Sequence, residues 1–263
     1  MSDYQVAVHE AGASPSGLAA VTLAFRRALV SQLHPKMLLA ILMPFIIMLL
    51  GAILLVWGFW TPLTDWLNLQ SADWGVINTV DGWLVAIGLF SIKLYLIPLL
   101  AAGILLPMAG ILGLVIAAIF VMPIVLGHLD RTHYQGLQRN GQHATIVSGW
   151  NAFWVVCLFA VGWLVTLPLW LFPPFAVILP LFWWAFAITR MLRVDAIVEH
   201  ASPDERRYLW KRHNRQWWLI GACLALVNLI PPAWLIMPVF SSLVFAHFGL
   251  EALRQHRLAG NSK

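Results

Sequence analysis

Residues 226–238 read "LVNLIPPAWLIMP", with two adjacent prolines, Pro231 and Pro232, inside an apolar run. Proline removes a backbone donor and clashes with the preceding turn, so a continuous buried helix does not carry such a pair. Composition sets the environment. Of 263 residues, 61% are apolar and only 10% are charged, against roughly a quarter charged in soluble domains. Residues 38–60, "LLAILMPFIIMLLGAILLVWGFW", carry no charge over about the 20 residues needed to cross a bilayer. The chain is expected to be an all-α, multi-pass integral membrane protein.

Apolar sequence falls into four blocks, 38–60, 83–126, 150–189 and 217–248. The segment 61–82, "TPLTDWLNLQSADWGVINTVDG", holds Asp65, Asp73 and Asp81 and no Lys or Arg. Every other polar segment is basic, most of all 190–216, with Arg190, Arg193, Arg206, Arg207, Lys211, Arg212 and Arg215. Lys and Arg accumulate on the cytoplasmic side. Only 61–82 is therefore placed outside, as a periplasmic loop, with both termini inside. The net charge of +5 follows this topology and does not argue for nucleic acid. A polar arm, 1–37, precedes the first apolar run, so no cleavable signal is expected. Cys157 and Cys223 lie in apolar sequence and read as packing thiols.

Block 217–248 has basic sequence at both ends, so it enters and leaves on one side. Its arms, 217–230 and 233–248, reach roughly 21 to 24 Å, short of the roughly 30 Å hydrocarbon core. They describe a half-penetrating hairpin tipped by Pro231-Pro232. Block 150–189 repeats the pattern, because "LFPPFAVILP" (171–180) matches "LIPPAWLIMP" (229–238) proline for proline. The alternative is a pair of short hairpins that cross fully. Block 83–126 joins an outside end to an inside end and is expected to be one long kinked span. Return arms starting at Pro174 and Pro232 would aim free N–H groups and a positive dipole end into the membrane, which suits an anion. Asn228, Ser241 and Ser242 could add hydrogen bonds, or could pack helix against helix.

Lys93 in "LFSIKLYLIP" (89–98) is a basic residue inside an apolar block. If helix runs from residue 83, it lies roughly 15 Å deep and is a functional candidate. If the helix starts nearer Leu89, it snorkels to the interface. Residues 17–33 set Leu18, Val21, Phe25, Leu29 and Leu33 on one stripe opposite Arg26 and Arg27. This amphipathic helix lies either on the inner leaflet or on the protein's own surface. "SPDERRYLWKRHNRQ" (202–216) opens with an N-cap at Ser202, Pro203 at the first position and Glu205 closing a capping box. That helix is expected to run unbroken into the 217–230 arm, its charges forming a solvated face. His128, Asp130, His133 and His143 have no metal-site spacing, since His128 and His133 are five apart. No catalytic motif appears, and neither an enzyme activity nor a cofactor or metal is expected.

Residues 198–253, "VEHASPDERRYLWKRHNRQWWLIGACLALVNLIPPAWLIMPVFSSLVFAHFGLEAL", and 24–50, "AFRRALVSQLHPKMLLAILMPFIIMLL", resemble the CysZ-like sulfate permeases. These form the bacterial branch of the etoposide-induced membrane protein family. The resemblance implies two full spans, two half-penetrating hairpins and a homo-oligomer in the inner membrane. It also implies sulfate uptake for cysteine synthesis. The family's sulfate contact is a Gly-Leu-Arg turn, where this chain reads "LHPKM" (33–37). His34 and Lys36 could stand in for the arginine, although lysine lacks its bidentate fork. The expected function is an inner-membrane permease or channel for sulfate or a related oxyanion. The alternative is a non-transporting scaffold acting through its basic cytoplasmic face.

Overall fold

Prolines and short polar breaks divide the chain into helices, and a computed structural model of the protein describes residues 17–261. No strand occurs among the described residues. The helices are α1 (Leu18–Gln32), α2 (Pro35–Gln70), α3 (Gly75–Ala86), α4 (Lys93–Thr132) and α5 (Ala144–Thr166). They continue as α6 (Pro173–Asp195), α7 (Pro203–Arg212), α8 (Asn214–Val227) and α9 (Met237–Asn261). The first sixteen residues of the expected arm and the last two of the expected tail lie outside the described residues.

Four stretches among the described residues are long and apolar enough to cross a bilayer: Pro35–Asp73, Lys93–Gly110, Ala144–Leu171 and Pro173–Asp195. Large apolar side chains cover their outer surfaces, with Trp57 87% and Leu171 85% exposed. Apolar area on that scale is tenable only against lipid or another protein surface. The protein is an all-α membrane protein.

The chain forms two compact units. In the first, Leu42–Phe120, Leu67, Ile97 and Ala101 form a core against Trp60, Leu63 and Trp74. Gly113 lets α4 approach α2 so closely that a Cβ there would sit 2.9 Å from the Met48 Cβ. Segment 61–82, expected as a loop, is helical over most of its length: α2 continues to Gln70, a 3-10 turn spans Ser71–Asp73, and α3 follows.

The expected continuous span from residue 83 is broken. α3 stops at Ala86, Gly88 takes a left-handed φ of 82°, and α4 starts at Lys93. Asp81 makes this break stable. Its Oδ1 accepts from Ser91 Oγ at 2.7 Å, from the Ile92 amide at 2.7 Å and from the Lys93 amide at 3.4 Å. One carboxylate thus takes up donors that the first turn of α4 leaves open.

The second unit joins the residues up to Ile41 with those from Val121 onward. Here α6 packs against α5 and α8, and α9 packs against α1. Gly162 admits the Trp183 ring between α5 and α6, where a Cβ would collide with it at 1.8 Å. Trp217 stacks on Phe245 at 5.6 Å, joining α8 to α9 in a fully buried core with Leu224 and Leu243. On α1, Val21, Ala24, Ala28, Ser31 and Gln32 are buried, while Leu18 and Leu29, and Leu33 just past its end, stay exposed. The helix therefore packs on the protein, through Val21 and small residues that permit a close approach and through Phe25, edge-on to Phe240 of α9 at 6.0 Å, while the ends of the bulky stripe stay exposed.

Both Pro-Pro pairs break helices, in different ways. Pro173 and Pro174 open α6 directly. Pro231 and Pro232 instead open a 3-10 turn, Pro231–Leu235, and α9 begins only at Met237. The expected start of the return arm at Pro232 is corrected accordingly. The arms of the first hairpin, α5 and α6, have 23 residues each, about 35 Å at 1.5 Å per residue. Length alone does not keep that hairpin from crossing. In the second hairpin α8 has 14 residues, about 21 Å, less than the roughly 30 Å hydrocarbon core.

Candidate functional site

The 203–216 helix does not run on unbroken. The capping box forms as expected: Glu205 N donates to Ser202 Oγ and Ser202 N donates to Glu205 Oε2. α7 then ends at Arg212, His213 leaves helical geometry at φ −110°, and α8 starts afresh at Asn214. The kink aims residues 211–216 at a cavity of about 530 Å³ bounded by α1, α8 and α9. Arg27, Lys211, Arg212 and Arg215 line it, with Glu251 as the acidic residue. Lys211, Arg212 and Arg215 make no ion pair among the described residues.

Glu251 is already engaged. Arg27 Nη1 donates to its Oε2 at 2.9 Å, and Arg254 and Gln255 donate to its Oε1 at 2.9 and 3.1 Å. Burial pushes the Glu251 carboxyl up, but its bond to Arg27 and the charge of Arg254 outweigh that and hold it below the ordinary range. Beside it lies a buried polar string. Ser31 Oγ meets His247 Nε2 at 3.0 Å, and the Tyr134 hydroxyl donates to the His247 carbonyl at 3.0 Å. Burial above all raises the Tyr134 phenol above its ordinary value. It stays protonated and serves as a donor.

The residues expected from sequence do not converge. His34 and Lys36 are exposed at the start of α2, where the Lys36 amide donates to His34 Nδ1 at 3.3 Å. The His34 ring lies 4.4 Å from that of His128. Ser241 and Ser242 are buried on the first turns of α9, and their hydroxyls donate to the Met237 and Pro238 carbonyls at 2.6 and 2.8 Å. Those donors are spent on their own helix and are not offered to an anion. Asn228 caps the end of α8, and its carbonyl accepts from Trp234 Nε1 at 2.6 Å. Lys93 is the first residue of α4, with Nζ 3.4 Å from the Ser71 carbonyl. The 15 Å depth assumed a helix from residue 83, and the break at 87–92 removes that basis. Asp130 goes to His200 and Arg139, not toward His128 or His133. Cys157 and Cys223 are free thiols.

Sequence reasoning passed over Lys211, Arg212 and Arg215 as a solvated face and read Arg27 only as the polar side of an amphipathic helix. One signal was present, because seven Lys and Arg crowd residues 190–216 against Asp195, Glu199, Asp204 and Glu205. What turns them into a site is the kink at His213.

The family model described as "Sulfate transporter CysZ/Etoposide-induced protein 2.4" matches residues 24–238, and the chain belongs to that family. It is a family of transporter type, not one of enzymes. No curated protein and no solved structure matches the chain.

Proposed function

We propose that this member of the sulfate transporter CysZ/etoposide-induced protein 2.4 family is an inner-membrane permease or channel for sulfate or a related oxyanion. The observation that supports it most is the cavity of about 530 Å³, where three unpaired cations face one carboxylate that is already neutralised. A tetrahedral dianion fits such a site well, because arginine presents a planar fork of donors to oxyanions. His34 and Lys36 are assigned to an outer contact of the same pathway, at the N-terminus of α2. The positive dipole end of that helix favours an anion there. The second hairpin stays within the bilayer, the termini face the cytoplasm, and copies assemble into a homo-oligomer. Uptake of this kind would supply sulfate for cysteine synthesis.

The test is equilibrium dialysis of purified protein against radiolabelled sulfate. Binding is expected to weaken as ionic strength rises, since the cations stand near solvent. It is also expected to fall roughly tenfold for each of Arg212→Gln and Arg215→Gln. Unchanged binding in both variants would remove the cavity from the pathway.

A further inference from the structure

A second basic pocket lies where α6 ends. Arg193, Arg207, Trp210, Lys211 and Asn214 line a cavity of about 400 Å³. Its cations make no ion pair among the described residues. Of the four acids in this stretch, Asp195 bonds to Ser148, Glu199 pairs with Arg139 and Glu205 pairs with Arg257. Asp204 makes no ion pair among the described residues. The Nε groups of Arg190 and Arg193 are buried and lack a hydrogen-bond partner. Buried donors without partners are costly, and a native structure ordinarily satisfies them.

The surroundings identify the missing partner. α6 is one of the stretches apolar enough to cross a bilayer, and these arginines occupy its last turns. At helical spacing, Phe182, Phe186 and Arg193 share one face. Trp218 of α8 extends that face, with its ring 6.3 Å from those of Phe182 and Phe186. Trp210 closes the polar end: its Nε1 donates to the Arg193 carbonyl at 3.3 Å, and Arg193 lies over its ring at 5.4 Å. An aromatic face thus leads along a membrane helix to unpaired cations at its polar end.

We infer that Arg193, Arg207 and Lys211 bind the phosphate of an anionic phospholipid, whose acyl chain lies along Phe182, Phe186 and Trp218. A free phosphate ion would satisfy the same donors but would leave the aromatic face uncovered. Lys211 also borders the larger cavity, so the variants below leave it intact.

Native mass spectrometry of the full chain, released from micelles containing equal phosphatidylglycerol and phosphatidylcholine, tests this. The parent is expected to retain phosphatidylglycerol in preference to phosphatidylcholine. Arg193→Gln/Arg207→Gln is expected to lower that occupancy about tenfold. Arg207→Gln alone, at an exposed position that the fold tolerates, should lower it severalfold, and Arg26→Gln should leave it unchanged. Equal retention of the two lipids overturns the inference, as does parent-like retention in Arg207→Gln. Displacement of phosphatidylglycerol by millimolar inorganic phosphate also overturns it, because the ligand is then a soluble ion.

Discussion

Arg27 and Glu251 stand 224 residues apart in the chain and meet in an ion pair of 2.9 Å that fastens α1 to α9. The contact does two jobs at once. It docks the N-terminal helix on the unit's core, and it neutralises the acid of an otherwise cationic cavity.

Glu251→Gln therefore separates stability from affinity. Losing a charge-assisted bond costs about 1–2 kcal/mol, with the lower end favoured because the Arg27 side chain is 33% exposed. Thermal unfolding in detergent is expected to shift downward. Sulfate affinity is expected to rise severalfold at low salt, since Arg27 is released and a negative charge leaves the cavity. A loss of both would mean that the pair shapes the site rather than restraining it.

Asp81 and Lys93 make a second contrast. Asp81→Asn weakens the acceptor for Ser91 and for two amides at the start of α4, at a cost of about 1 kcal/mol. Lys93→Met removes a charge at the first residue of a helix, not one buried within it. Uptake by Lys93→Met is expected to stay within twofold of the parent, while Asp81→Asn lowers thermal stability. A tenfold fall in uptake for Lys93→Met at parental stability would return Lys93 to the ion pathway.

How much of this was legible follows from the range of each interaction. The capping box at Ser202 and Glu205 spans three residues, and both Pro-Pro breaks are local, so the sequence displays them directly. The start of α4 was misplaced because "AIGLFSIK" (86–93) looks uniformly apolar around Gly88, and its stabilising partner Asp81 lies ten residues back from Ser91. The cavity was not legible at all. It depends on a one-residue kink at His213, whose ring packs edge-on to Phe248 at 5.8 Å, and on a helix from the other end of the chain. Ser241 and Ser242 misled for a simpler reason: hydroxyls in an apolar helix bond to carbonyls one turn back.

The second hairpin gives a topological prediction. In a protein with Cys157 and Cys223 replaced, a cysteine at Trp234 is expected to resist an impermeant thiol reagent added outside intact vesicles. Trp234 is exposed on the fold, so resistance would reflect lipid and not burial in protein. A cysteine at Ala72 is expected to react. Equal labelling at both positions would show that the Pro231–Leu235 turn reaches the outer surface.

His200 sets a pH dependence. It is fully buried, its Nε2 lies 2.9 Å from Asp130 Oδ1, and its carbonyl accepts from Arg257. Burial lowers its pKa below 6.5, and the attraction of Asp130 offsets this only in part. The folded state therefore favours the neutral ring, which donates its Nε2 hydrogen to Asp130. The unfolded state binds the proton first. This contribution to stability is complete above pH 6.5 and is lost as pH falls from there toward the folded-state pKa. His200→Gln keeps a donor and cannot titrate, so the unfolding midpoint of this variant is expected to vary less between about pH 7.5 and pH 5.5. An unchanged slope would assign the acid sensitivity to other groups.

Sulfate uptake into proteoliposomes, comparing the parent with Arg212→Gln/Arg215→Gln, tests the central claim most directly. Both side chains are exposed at the kink between α7 and α8, so the double variant is expected to fold and to match the parent in thermal unfolding. The parent is expected to accumulate labelled sulfate well above protein-free vesicles, and the double variant to lose at least tenfold of that rate. No accumulation by the parent would favour a membrane scaffold, and parental rates in the double variant would place the ion path elsewhere.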